Sequence, residues 1–164
     1  MLKDSKNHKK LRDVVKKVIA FMTLGIDVSA LFSEMSMLSF TNDIISKKMI
    51  YLYLTTYSET NPELALMAIN SFVKDCQNEN PLIRAYALRS LCSLRFAGAI
   101  DYLQTQILLM LNDYDAHVRK TAIMGIVKMY HINPTFVEEN DLSNVLYNML
   151  KDPVPAVVVN ALVA

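Results

Sequence analysis

The stretch NDYDAHVRK, residues 112–120, sets two carboxylates, Asp113 and Asp115, close together and near Arg119. Carboxylates paired beside a cation are the raw material of general acid–base catalysis. The same residues also read as a helix N-cap with solvated charges, because Asp is among the best capping side chains. Nothing else in the chain strengthens the catalytic reading. His8, His117 and His131 are dispersed over different segments, no HExxH motif or glycine-rich phosphate loop occurs, and motif signatures assemble no Ser, His and Asp set. The chain is expected not to be an enzyme, with no catalytic residues, no metal ligands and no cofactor.

The two thiols give a similar answer. Cys76 and Cys92 each lie within an apolar pattern, at a spacing that fits neither a CxxC metal site nor a disulfide framework. They are expected as reduced core residues, which fits the cytosol.

The basic residues carry the clearest site signal. The net charge of +1 hides an uneven distribution: residues 1–17 hold seven Lys or Arg and two Asp, a balance of +5, so the rest of the chain sums to −4. On a helical wheel Leu11, Val14, Val15, Val18, Ile19 and Met22 form the expected core face, while Lys6, Lys10 and Lys17 share a strip roughly 40° wide on the opposite side. Lys9, Arg12 and Lys16 flank it. Three readings fit this strip: a solvated helix face, an anionic membrane surface, or nucleic acid. A nucleic-acid tracker wants basic residues along several repeats or aromatics interleaved for stacking, whereas the charge here stops at Lys17.

The elements that position these residues are helical. With 52% apolar and 20% charged residues but only three Gly and five Pro, the chain is poor in the turn chemistry of β-rich folds. No apolar run approaches the ~18 residues of a membrane span, and the lysine-rich start has no apolar signal core behind it. IRAYAL at Ile83, VRKTAI at Val118 and VVVNAL at Val157 recur at spacings of 35 and 39, with a fainter copy, ISKKMI, at Ile45. Each follows an apolar helical stretch and, for the later three, a short polar break. Helix pairs at such a period are the signature of a HEAT or armadillo-like α-solenoid. Ile45, Ile83, Val118 and Val157 should then take equivalent buried positions in successive second helices, with Ala87, Ala122 and Ala161 one turn later. Arg84 and Arg119 occupy one repeat position, where Ser46 and Val158 stand in the outer copies, and are expected to bond loop carbonyls or carboxylates between repeats.

Residues 47–76 read as one such helix pair. In its second half Ala65, Ala68, Ile69, Phe72, Val73 and Cys76 share a face, with Leu66 and Met67 outside its centre. Pro62 and Pro81 sit where helices should begin. HINPTFVEEN, residues 131–140, reads as the longest late loop, with Pro134 marking a break after a helix through Tyr130.

Taken in order, VVKKVIAFMTLGIDVSALF, KKMIYLYL, ALMAINSFVKDCQNENPLIRAYALRSL and VRKTA resemble the amino-terminal trunk of the beta-adaptins, the beta subunits of clathrin-adaptor-type complexes. FSEM, DIISKK and ALRSLCSLR look most like the beta subunit of the fourth, trans-Golgi complex. The resemblance implies an all-α solenoid, a right-handed superhelix of helix pairs, with residues 1–164 a single portion of a longer trunk holding about four repeats. It implies a non-enzymatic scaffold that assembles with a second large adaptin and with medium and small adaptor subunits. Such complexes sort transmembrane cargo into coated vesicles from the cytoplasm, peripherally on trans-Golgi or endosomal membranes. Recruitment in the family depends on an Arf-type GTPase in its GTP form, on phosphoinositides, or on both, and no nucleic acid is implied. The family's GTPase-contacting positions match Leu66 and Ile69, with Met67 beside them. Its phosphoinositide-binding lysines match Lys10 and Lys17, whereas other basic positions of that patch are Asn7 and His8 here. The competing expectation is a HEAT scaffold of another class, a transport receptor or nucleic-acid-associated array.

Overall fold

The computed structural model describes residues 2–60, 62–94 and 97–164, without the side chains of residues 2–7, 62 and 97. Among the described residues every regular element is helical. The α-helices are α1 (Leu2–Thr23), α2 (Phe32–Leu38), α3 (Ile44–Tyr57), α4 (Pro62–Asp75), α5 (Pro81–Leu91), α6 (Ile100–Met110), α7 (Ala116–Ile132), α8 (Pro134–Glu139), α9 (Leu142–Met149) and α10 (Pro155–Val163). Contacts divide the chain into two compact units, residues 1–71 with 94–96, and residues 72–93 with 97–164.

In the first unit α1 and α2 pack on α3. Just beyond α1 stands Gly25, whose φ of +79° is a left-handed conformation open to a residue without Cβ. The Ile26 amide then reaches back to the Phe21 carbonyl at 3.0 Å, and the Gly25 amide to Met22 at 3.1 Å, satisfying carbonyls that the helix end leaves open. α3 buries Ile50, Tyr51, Tyr53 and Leu54. The Tyr53 hydroxyl donates to the Val28 carbonyl at 2.5 Å, and the Val28 amide donates to the Tyr57 hydroxyl at 3.4 Å, so two tyrosines one turn apart hold the segment after α1. Val15 and Val18 of the expected α1 core face are buried, but Val14 is 54% exposed. The core side of α1 is thus narrower than its apolar sequence suggests.

In the second unit α7 is central, packed by α5, α6, α8 and α10. It buries Val118, Ala122, Ile123, Ile126 and Met129. Gly125 allows the close approach: a Cβ there would lie 3.2 Å from Ile107 Cγ1 and 3.3 Å from Cys92 Sγ. Both cysteines are unpaired and buried, and burial pushes the Cys92 thiol up to about 12, where it stays protonated and inert. Residues 131–140 are not a loop. α7 runs on to Ile132, and Pro134 opens α8 at its first turn, where a missing N–H costs nothing, while Phe136 and Val137 are buried beneath.

The second helices of the repeats share one register. α3, α5, α7 and α10 are preceded by Asp43, Asn80, Asp115 and Val154 as N-caps. Three residues on stand Ser46, Ile83, Val118 and Val157, all buried, and seven on stand Ile50, Ala87, Ala122 and Ala161, all buried. The expected place of Ile45 is therefore corrected by one residue: Ile45 is 49% exposed and Ser46 takes the buried position. A hydroxyl is tolerated there because it donates to Asp43 Oδ2 at 2.6 Å. The same shift makes Lys47, not Ser46, the counterpart of Arg84 and Arg119.

Candidate functional site

Arginines clamp the turns that enter these helices. Arg84 makes a two-pronged ion pair with Asp113, both bonds at 2.8 Å, while its Nη1 donates to the carbonyls of Asn78 and Glu79 in its own turn. Arg119 repeats the pattern one step on, pairing with Asp152 at 2.8 and 2.9 Å and donating to the carbonyls of Asp113 and Tyr114. The turn at Asp113 thus accepts one arginine through its carboxylate and the next through its backbone. The planar, five-donor guanidinium suits this double role as an ammonium could not. Asp113 also accepts the Asp115 amide at 2.8 Å, and Asp115 caps α7 by accepting from His117 N–H at 2.8 Å. The two carboxylates singled out in the sequence are structural acceptors. Buried Lys47, at the equivalent position of α3, lies 5.8 Å from the centre of the Tyr51 ring.

In the first unit Arg12 of α1 pairs with Asp43, here the N-cap residue itself, with an Nε–Oδ2 distance of 2.8 Å. Asp43 accepts the Ser46 amide at 3.0 Å as well, so one carboxylate caps α3 and anchors α1. The Arg12 hydrogen bonds and the serine donors hold the Asp43 carboxyl well below the usual carboxylate range. Arg12 is thereby withdrawn from the basic cluster that it flanks in sequence.

What remains on the outer side of α1 is lysine. Lys9, Lys10, Lys16 and Lys17 are exposed. The side chain of Lys6 lies outside the described residues. Lys10 and Lys17 stand two turns apart on a helix whose opposite side is fastened to α3, so the strip has a fixed backing.

α4 shows a second two-sided surface. Ala65, Ala68, Ile69 and Phe72 are at most 1% exposed, whereas Leu66 and Met67 are 46% and 53% exposed. The helix is fastened in its second half by Ser71, whose hydroxyl accepts from that of Ser39 at 2.8 Å. Of the three apolar positions expected to meet a GTPase, the structure separates Ile69 from the others. Ile69 is buried and offers no surface to a partner, so the exposed apolar pair is Leu66 and Met67.

Among the described residues no group of three or more His, Cys, Asp or Glu could hold a metal ion. No described helix is long and apolar enough to cross a membrane.

All 164 residues match the family described as the adaptin N terminal region. The AP-4 complex subunit beta-1 of Mus musculus is 44% identical over 151 residues, covering 92% of this chain and 20% of that protein. The AP-1 complex subunit beta-1 of Homo sapiens is 42% identical over 161 residues, covering 98% of this chain and 17% of that protein. Identities this similar do not choose between the two complexes. The chain spans about a fifth of the length of these relatives. Among structures, a homology model of the full-length AP-3 complex in an intermediate open conformation superposes with a TM-score of 0.79 at 20% identity, over 93% of this chain and 27% of that one. That likeness gives the fold, a helical solenoid.

Proposed function

The chain belongs to the adaptin family, whose N-terminal region it matches along its whole length, and on that premise we propose that it is a non-enzymatic scaffold of a heterotetrameric vesicle-coat adaptor complex. In this reading it assembles with a second large adaptin and with medium and small subunits. The complex sorts cargo in vesicle-mediated transport on trans-Golgi or endosomal membranes, to which it attaches peripherally from the cytoplasm. The observation that carries the reading is the two-sidedness of α4, which keeps Leu66 and Met67 exposed on a helix whose other side is sealed.

A rigid helix presenting an apolar pair suits a partner that exposes its own surface only in one state. The switch loops of an Arf-type GTPase are ordered by the γ-phosphate, so the GTP form offers such a surface and the GDP form does not. Lys10 and Lys17 would lie against the phosphates of an anionic membrane. An electrostatic contact of a few lysines is weak by itself and screened by salt, so attachment calls for both signals together.

Affinity purification of the full-length protein from its native source tests the assembly. Recovery of a second large adaptin with medium and small subunits is the expected result, and their absence overturns the reading.

A further inference from the structure

The second unit holds a cleft of about 390 Å³ that the ladder of arginines and the α4 surface do not use. Arg89 of α5 and Lys120 and Lys128 of α7 line it, with His117 beside them and Asn160 of α10 at the far side. Its floor is apolar: Cys92 and Gly125 are buried, and Met124 is 42% exposed between the cations. Four of the α7 residues, His117, Thr121, Met124 and Lys128, fall within one sector of the helical wheel, so α7 supplies one wall of the cleft.

The charge around this cleft is one-sided. Among the described residues no carboxylate lines it. The acidic groups closest in sequence are spent elsewhere, Asp113 and Asp152 on the arginine pairs and Asp115 on the α7 cap. Lys128 donates to the Ser93 hydroxyl at 3.2 Å, and its charge is felt at the buried Cys92 thiol. Cations gathered around a concave surface attract an acidic ligand.

The shape of the lining distinguishes a peptide from a bare phosphate. A compact phosphate site needs donors converging on one point, whereas here an apolar floor separates the cations. Asn160 adds a second argument: its amide nitrogen donates to the Lys120 carbonyl at 3.1 Å, so of its two polar ends the nitrogen is engaged and the oxygen is the one left to meet a ligand. Such an oxygen suits a peptide N–H and repels an anion. We propose that the cleft between α5, α7 and α10 docks an extended acidic peptide segment of a partner protein, with carboxylates on Arg89, Lys120 and Lys128 and an apolar side chain over Met124. The proposal stands on these residues alone and is independent of the membrane and GTPase contacts.

Fluorescence anisotropy with a short labelled peptide of glutamate pairs alternating with leucine tests it on the 164-residue chain. Saturable binding that weakens with salt is expected, together with none for the glutamine counterpart of the peptide. Because Arg89 and Lys128 are exposed, Arg89→Glu with Lys128→Glu should keep the helical circular dichroism signal and lower affinity at least about tenfold. If charge reversal disturbs folding, Arg89→Gln with Lys128→Gln is read instead, with the same expectation. Lys10→Glu with Lys17→Glu should leave the affinity unchanged. Absent binding, equal affinity in the folded Arg89 and Lys128 variants, or an equal loss in the Lys10 and Lys17 variant would overturn the proposal. So would saturable binding of inorganic tripolyphosphate, read by titration calorimetry and lost in the Arg89 and Lys128 variants, without any binding of the glutamate peptide.

Discussion

Arg84 and Asp113, 29 residues apart, meet through two parallel hydrogen bonds of 2.8 Å, with the guanidinium carbon 4.5 Å from the centre of the neighbouring Tyr114 ring. The arginine side chain is 6% exposed and the aspartate 11%. The pair ties the start of α5 to the turn that starts α7, and Arg119 repeats the tie from α7 to the turn before α10. Register between successive second helices therefore rests on ionic clamps at their N-termini as well as on apolar packing below them.

Asp113→Ala removes one side of this clamp and leaves a shielded guanidinium with only carbonyl and phenol partners. A loss of about 2–4 kcal/mol is expected, because stripping a buried charge of its partner costs more than the pair itself contributes. Urea unfolding measures it. Arg84→Lys should also destabilise, since one ammonium cannot span a carboxylate and two turn carbonyls.

Acid should loosen two other ion pairs, Arg119 with Asp152 and Arg12 with Asp43. The Arg119 guanidinium holds the Asp152 carboxyl below its ordinary value, helped by the Val154 amide, and Asp43 is shifted in the same direction by Arg12. A carboxyl whose folded pKa is depressed contributes stability that is complete above its unfolded pKa of about 4 and is lost as pH falls towards the folded value. The urea midpoint is expected to be flat from neutral pH to about 5 on this account and to fall below about 4. Asp152→Asn should flatten that acid limb while lowering stability at neutral pH.

Gly125→Ala sets helix propensity against packing. Alanine gains about 1 kcal/mol over glycine inside a helix, while overpacking costs about 1–3 kcal/mol. The new methyl would sit 3.2 Å from Ile107 and 3.3 Å from Cys92, and both neighbours are buried, Ile107 being β-branched and stiff. A net destabilisation of about 1 kcal/mol is expected. In a Cys92→Ala background the cost should shrink, because one of the two close contacts is gone.

Much of this fold is legible in the residues. Ile83, Val118 and Val157 stand three places after an N-cap, and the small alanines four places later let the helices approach, so three second helices follow from pattern alone. The first was misplaced by one residue because its buried position holds Ser46, a polar residue made acceptable only by Asp43. α8 was hidden because Pro134 signals both a break and a first helical turn, and burial of Phe136 and Val137 decides between them. Arg84 and Arg119 were recognisable as clamps, but their carboxylates were not, since Asp113 and Asp152 lie 29 and 33 residues away. The exposure of Leu66 beside buried Ile69 follows the helical wheel, which sets Ile69 on the face shared by Ala65, Ala68 and Phe72 and leaves Leu66 outside its centre. The cleft gave no signal, because Arg89 and Asn160 come from different repeats.

Membrane attachment predicts a salt-sensitive contact. Lys10→Glu with Lys17→Glu should weaken sedimentation of the assembled complex with phosphoinositide-containing liposomes, and wild-type binding should fall as salt is added. Both residues are exposed, so folding should be unaffected. Equal sedimentation of variant and wild type would leave the strip a solvated face.

The docking role of α4 is tested most directly by capture on an immobilised Arf-type GTPase, GTP-locked or GDP-bound, with circular dichroism run beside it. Wild type is expected on the GTP form alone. Leu66→Asp places a charge in the apolar contact at a half-exposed position, where folding should survive and desolvation of the carboxylate should abolish capture. Met67→Asp, at the more exposed neighbour, gives the same reading should Leu66→Asp perturb the helix. Folded variants that lose the GTP-bound partner are the predicted result; a folded variant captured as strongly as wild type would contradict the account.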